Sequence, residues 1–148
     1  MKEKVKKEDA ITGGVIHGMR NNITVKVDLD INGFCEKMGF INVDEEDFKK
    51  VLDGAEQIYI GNGHATGEGK GGKAAYIAIN NPLMAMPLGK AKNVLILTTC
   101  SLDIDLEDIE ETVEMIAKTT HPEANTIIGA FFDEEMENGI RVDIIASH

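Results

Sequence analysis

The chain has 148 residues and a mass of 16.1 kDa, with 43% hydrophobic and 28% charged residues, which is the size and composition of one globular domain. It has no apolar run of membrane-spanning length, and its first nine residues are too charged for a secretory signal, so we expect a cytoplasmic protein without direct membrane association. The net charge of −11 argues against nucleic acid as a partner, because phosphate binding needs concentrated Lys and Arg.

The two cysteines, Cys35 and Cys100, lie far apart, and neither belongs to a CxxC motif or a Cys/His pair. A zinc site is therefore not expected. Both lie among apolar neighbours, which favours buried, reduced thiols over a redox role. We predict neither a metal site nor a bound cofactor.

The first quarter of the chain predicts short strands rather than a long helix. We predict strands over residues 11–16 and 22–29, with a turn at Asn21-Asn22 between them. Apolar and polar residues alternate in the second, as in a half-buried strand. A short helical stretch is predicted over residues 31–38, and residues 1–10 are predicted to form a charged flexible arm.

A helix is predicted over residues 45–53, with Asp44 as its N-cap and Asp47 at its third position. The acidic residues of its first turn suit the positive end of the helix dipole. Apolar residues at helical spacing, Phe48 and Val51 among them, give this helix one buried face.

The middle of the chain alternates between strands and helices. A short strand over residues 57–61 leads into a glycine-rich run over residues 61–72, and a helix follows over residues 72–80. The continuous apolar run of residues 93–99 predicts a central strand that is buried on both faces.

The last third predicts one long helix and two strands. The helix covers residues 105–119 and starts at Asp105. The strands cover residues 126–132 and 140–146, and the turn signal Asn138-Gly139 predicts that they pair antiparallel. The order of elements predicts an α+β fold, with a mixed sheet of four or more strands and helices packed against it.

Three stretches resemble the C-terminal half of the tubulin/FtsZ family. Residues 39–47 (GFINVDEED) fit the pattern G-x-x-N-x-D-x-x-D of the loop that family members insert into a neighbouring subunit's nucleotide site. Residues 63–83 follow the family's strand, glycine loop and helix, and residues 91–146 follow its last two-thirds in order. The resemblance implies the fold of the family's C-terminal domain, which is also chorismate-mutase-like. Residues 39–148 would form the family-like core of a single domain, and residues 11–38 an atypical N-terminal extension of it.

The resemblance also implies a catalytic loop. In the family, the two acids at Asp44 and Asp47 position and polarise the water that attacks GTP on the next subunit, while Asn42 helps to hold the loop and Gly39 allows its turn. The acids also have a purely structural explanation, since a helix start favours negative charge. The neighbouring pair Glu45-Glu46 adds charge that would repel phosphates, so whether the loop remains catalytic stays open.

The family's nucleotide-binding domain has no counterpart in these residues, so we do not expect the chain to bind GTP by itself. Residues 67–73 satisfy GxxxxGK, but we reject a P-loop because Ala74 stands where a hydroxyl residue would bind Mg²⁺. A lone histidine such as His64 is more often exposed or hydrogen-bonded than a general base. A weaker prediction is an anion- or ligand-binding loop formed by Gly63, His64, Gly67, Gly69, Lys70 and Lys73.

Three hypotheses for function follow. The first is an assembly module that docks on FtsZ or on copies of itself, and that caps a filament or donates its acidic loop in trans to GTP hydrolysis. The second, from fold analogy, is a small trimeric enzyme or ligand-binding protein with sites between subunits, near residues 61–72. The third is a partial or paralogous gene product that retains no activity. The expected partner is thus FtsZ or the chain itself, as a homo-oligomer.

Overall fold

The computed structural model describes residues 11–12, 15–20, 23–28, 39–41, 43–84 and 86–148. The strands are β1 Ile11–Thr12, β2 Val15–Arg20, β3 Ile23–Asp28, β4 Gly39–Ile41, β5 Ile58–Thr66, β6 Pro82–Met84, β7 Asn93–Cys100, β8 Asn125–Phe132 and β9 Gly139–Ser147. The helices are α1 Glu45–Leu52, α2 Lys70–Asn80 and α3 Leu106–Thr119, with short 3-10 turns at Leu88–Lys90 and Glu134–Met136.

These strands form two sheets. A small antiparallel sheet has the order β1-β2-β3, and the main sheet has the order β4-β8-β7-β9-β5-β6. In the main sheet β7 and β8 run parallel, while every other neighbouring pair is antiparallel. The predicted α+β fold, a mixed sheet with helices packed on it, is therefore confirmed.

Strand β7 lies at the centre of the main sheet. It is buried from Val94 to Cys100, as its continuous apolar sequence predicted, and β8 and β9 pair with its two edges. On one face, Leu95 and Leu97 pack with α1. On the other, Val94 and Ile96 pack with residues of α2 and α3. The sheet is thus the middle layer between one helix and two.

Much of the glycine-rich run is strand rather than loop. Strand β5 pairs with β9 from Ile58 to Thr66, beyond the predicted end at residue 61, and α2 begins at Lys70 instead of residue 72. Two of its glycines, Gly61 and Gly63, lie under α2, where a Cβ atom would overlap helix carbonyl oxygens. Glycine therefore allows the strand and the helix to pack closely.

One predicted strand pairing is wrong. Strands β8 and β9 do not pair with each other, because both pair with β7, β8 in parallel and β9 antiparallel. The turn itself is real, since Glu137 and Asn138 have φ of 36° and 60°. It reverses the chain across the end of β7, so the local signal did not identify the neighbouring strand.

In the N-terminal region, the predicted strand over residues 22–29 is confirmed by β3, which pairs with β2 next to the predicted turn. The single strand predicted over residues 11–16 is instead divided, since Ile11 of β1 pairs with Ile16 of β2. The helical stretch predicted over residues 31–38 and the arm predicted over residues 1–10 lie outside the described residues.

None of the helices in the described ranges has the length and apolar character that a membrane span requires.

Candidate functional site

Helix α1 starts with the predicted cap. The Asp47 backbone N–H donates to Oδ1 of Asp44 at 3.1 Å, and the Asp44 backbone N–H donates to Oδ2 of Asp47 at 2.9 Å. This reciprocal capping box satisfies two backbone donors that a helix start otherwise leaves without partners. Phe48 and Leu52 anchor the helix in the core with their side chains fully buried. The two carboxylates are therefore held at a fixed point of a rigid element.

The capping box leaves half of each carboxylate unused. Asp44 is exposed and Asp47 is partly exposed. In each, one oxygen accepts a capping hydrogen bond, and the other oxygen accepts no hydrogen bond from the described residues. A carboxylate held this way can orient a water molecule without giving up its role at the helix start.

Lys49 offsets part of the charge that the two glutamates add. Its Nζ lies 3.8 Å from a carboxylate oxygen of both Glu45 and Glu46. The Lys49 side chain is 43% exposed and the two glutamates are more exposed still, so these pairs contribute little to stability. They lower the net negative charge of the first turn of α1, which reduces the expected repulsion of phosphates.

The other two residues predicted for this loop have different outcomes. Gly39 is the first residue of β4, where it pairs with Phe131 next to a shift in the register. Asn42 lies outside the described residues.

The six residues predicted to form an anion-binding loop are divided among three elements. Gly63 and the exposed His64 belong to β5, while Gly67 and Gly69 form the turn before α2 with φ of 80° and 70°. Lys70 begins α2 and is buried against Asp108, whose Oδ2 lies 3.2 Å from its Nζ. Lys73 is exposed on α2. Since Lys70 already has an acidic partner, anion binding by this segment rests mainly on Lys73 and stays a prediction.

The buried state predicted for Cys100 is confirmed. Its thiol is fully buried and free, and Sγ donates to the Phe131 carbonyl oxygen at 3.4 Å. Burial raises the pKa of this thiol to about 11. It is therefore unsuited to nucleophilic chemistry near neutral pH. Cys35 lies outside the described residues. Within the ranges that the structure describes, no three His, Cys, Asp or Glu residues are grouped as metal ligands.

A polar cluster that was not predicted from the sequence lies on the face of the sheet that carries α1. Asn62 donates from Nδ2 to Oδ1 of Asp143 at 2.6 Å, and Nε of Arg141 lies 3.4 Å from Oδ2 of Asp143. Asp143 is only 6% exposed. The signal was present, because Arg141 and Asp143 are charged residues at alternate positions of an otherwise apolar strand, and a period of two places them on one face.

Comparisons with known proteins agree with this architecture. The profile of the FtsZ family, C-terminal domain, matches residues 56–148. Cell division protein FtsZ 1 of Rhizobium meliloti (strain 1021) is 39% identical over 118 residues, which are 79% of this chain and 20% of the relative. Cell division protein FtsZ of Methanothermobacter thermautotrophicus is 30% identical over 139 residues, 94% of this chain and 33% of the relative. The chain thus spans between a fifth and a third of the length of these relatives.

Solved structures share the fold. An empty FtsZ dimer of M. jannaschii superposes with a TM-score of 0.69 and 32% identity, over 78% of this chain and 34% of that chain. GDP-form TubZ protofilaments of Bacillus thuringiensis serovar israelensis superpose with a TM-score of 0.61 over 75% of this chain and 30% of that chain. At 10% identity, the TubZ likeness shows the fold alone. The matched profile, the relatives and the superposed sheet together place this chain in the FtsZ family, to whose C-terminal domain it corresponds.

Proposed function

We propose that this domain is an FtsZ-type assembly module, which docks the start of α1 on the nucleotide face of a neighbouring FtsZ subunit. Asp44 and Asp47 would there orient and deprotonate the water that attacks the terminal phosphate of bound GTP. The observation that carries this proposal is the capping box, because it holds both carboxylates together and leaves one oxygen of each without a described hydrogen bond.

The chemistry divides between the two subunits. Carboxylate oxygens can position a water and accept its proton, but they repel phosphate oxygens. The partner must therefore supply the cations that hold the nucleotide, including the magnesium ion that such reactions use. The proposed partner is therefore a complete FtsZ subunit, or another subunit that carries the nucleotide-binding domain.

The position of the acids on a helix supports the proposed role. Helix α1 is short, but Phe48, Val51 and Leu52 fix it in the core. A catalytic carboxylate on a packed helix keeps its orientation better than one on a free loop. Docking would then need little rearrangement of this domain.

The test is a mixture of the purified chain with full-length FtsZ from the same organism, in which GTP turnover and sedimented polymer are measured. Asp44→Asn and Asp47→Asn are the informative variants, because an amide oxygen still accepts the capping hydrogen bond while the carboxylate is lost. We expect the chain to change turnover, and either variant to reduce that change by about 10²-fold, the usual contribution of a general base.

Glu45→Gln and Glu46→Gln are the matched controls, since they remove the same charge from the same turn without touching the capping box. They are expected to keep at least the wild-type effect on turnover, because each removes a charge that repels phosphates. Circular dichroism confirms that each variant keeps its helices. The proposal fails if all four variants act alike, or if the chain leaves FtsZ turnover and polymer unchanged.

A further inference from the structure

Helices α2 and α3 lie side by side on the face of the main sheet opposite to α1, and they run in the same direction. Both follow strands that pair antiparallel with β9, and the ion pair between Lys70 and Asp108 joins their first turns. A Cβ on Gly72 would lie 3.7 Å from Oε2 of Glu111 and 3.6 Å from Cε of Met115. Gly72 of α2 is therefore level with this part of α3.

The outer surface of the two helices has an open apolar cleft of about 550 Å³, which Gly72, Tyr76, Ile77 and Met115 help to line. The side chain of Tyr76 is 63% exposed and that of Ile77 is 38% exposed. Scattered apolar residues on a surface are ordinary, but large ones grouped around a cleft are typical of a surface that binds another protein. Tyrosine in particular is enriched at the centres of such contacts.

Four exposed charges surround this cleft, and they are evenly divided between the two signs: Lys73 and Lys118 are basic, while Glu111 and Glu114 are acidic. Among the described residues, none of the four belongs to an ion pair. A strongly basic or strongly acidic partner would be repelled by one half of the set. A second copy of the chain presents the same two cations and two acids, so each charge can meet its opposite.

One symmetric arrangement brings these groups together. A two-fold axis along the groove, parallel to both helices, places α2 of each copy on α3 of the other. Such an axis keeps every residue at its own level along the helices. Lys73 therefore comes between Glu111 and Glu114 of the second copy. Tyr76, one turn further along α2, comes onto Met115 of the second copy. Each contact occurs twice, because the surface pairs with itself.

We propose that the outer surface of α2 and α3 is a homodimer contact, occupied by the same surface of a second copy of this chain. This inference does not depend on the proposed role of Asp44 and Asp47, because α1 lies on the opposite face of the sheet. We expect a Kd of roughly 10–500 µM, since a contact between two helices of each copy is smaller than a standard stable interface.

The test is sedimentation equilibrium of the full chain at concentrations up to about 1 mM, above the expected Kd. Lys73→Glu and Glu111→Lys should each raise the dimer Kd at least about tenfold, because two like-charged contacts then form in every dimer. An equimolar mixture of these two variants should dimerise with a Kd within about threefold of wild type. In that heterodimer one contact is native and the other has both charges reversed.

Tyr76→Ser tests the apolar part of the contact and should also raise the Kd at least about tenfold. The matched control is Lys50→Glu, which makes the same charge reversal on α1 and should dimerise as wild type does. Circular dichroism checks that each variant is folded. A chain that stays monomeric at the highest concentration overturns the proposal, as does a mixture of the two charge variants that fails to dimerise. If the Tyr76 ring signals of a monomeric chain shift only when FtsZ is added, the surface binds that partner instead of a second copy.

Discussion

The Nζ of Lys70 lies 3.2 Å from Oδ2 of Asp108, and this ion pair joins the first turn of α2 to the first turn of α3. Lys70 also lies 3.3 Å from Oδ1 of Asn138, in the turn before β9. The two charged side chains are only 10% and 15% exposed. The lysine of the glycine-rich run therefore has a structural function, which explains a P-loop-like sequence in a segment that lacks the other features of a P-loop.

Replacing Lys70 with methionine should destabilise the domain strongly. The substitution keeps most of the side-chain volume but leaves the carboxylate of Asp108 largely buried without its cation. Breaking such a pair costs about 3 kcal/mol, measured as the loss of free energy of unfolding in urea. Lys73→Met is the control on the same helix, and its exposed side chain should change stability by less than about 0.5 kcal/mol. Equal effects of the two substitutions would show that the ion pair is not important.

The adjacent glycines Gly71 and Gly72 should respond to alanine in opposite directions. A Cβ on Gly71 would overlap the carbonyl oxygen of Asp108, at the point where Oγ1 of Thr112 donates to the Gly71 carbonyl at 2.9 Å. On Gly72 the nearest atom is Cε of Met115 at 3.6 Å, which is an ordinary contact. Gly72→Ala should thus stabilise the domain by about 0.5–1 kcal/mol through helix propensity.

Gly71→Ala should instead lower the free energy of unfolding by about 1–3 kcal/mol, because α2 and α3 must move apart. Thermal or urea unfolding of the two variants gives the comparison directly. If both alanines stabilise the domain, then the close contact between α2 and α3 does not constrain Gly71.

The helices and the central strand could be predicted because their signals are local. The acids of the capping box and the apolar face that follows Asp44 determine where α1 begins and which side of it is buried. The apolar run of β7 avoids water only when both faces of the strand are buried. The pairing of β8 and β9 could not be predicted from Asn138-Gly139. A turn signal fixes backbone angles, whereas the neighbour of each strand depends on β7, which needs a partner at both edges.

The candidate site, too, could be predicted only in part. The cap at Asp44 follows from residue type and spacing, so its geometry was predictable. The polar cluster was not, because it joins Asn62 of β5 to Arg141 and Asp143 of β9, which meet only after the strand order is known. Likewise, nothing in the sequence near Lys70 indicates that its partner lies 38 positions away at Asp108.

Cys100 should resist thiol reagents in the folded protein. The variant Cys35→Ser leaves it as the only thiol of the chain. Its side chain is inaccessible and its pKa is raised to about 11, so almost no thiolate exists at pH 7. We expect its reaction with a disulfide reagent at pH 7 to be at least about 10²-fold slower in buffer than in denaturing urea. Similar rates would show that the thiol is exposed by frequent opening of β7 and α3.

The domain should lose stability as the pH rises from 9 to 12. Burial raises the pKa of Tyr59 from 10.0 to about 12 and that of Cys100 from 9.0 to about 11. Between these values the unfolded chain releases a proton that the folded chain retains, so the unfolded state binds fewer protons and the free energy of unfolding falls with pH. A shift of two pKa units corresponds to about 2–3 kcal/mol for each group.

Two variants separate the contributions of these groups. Cys100→Ala should remove the part of the pH dependence that begins near pH 9, because the thiol pKa of 9.0 applies to the unfolded chain. Tyr59→Phe should remove the part that begins near pH 10. Below pH 10 it should also cost about 1 kcal/mol, since the hydroxyl lies 2.6 Å from the carbonyl oxygens of Ala78 and Ile79 at the end of α2. The slope of stability against pH, measured by urea unfolding, is therefore the quantity to compare. If the Tyr59→Phe variant kept the wild-type slope above pH 10, then burial would not raise the pKa of this hydroxyl.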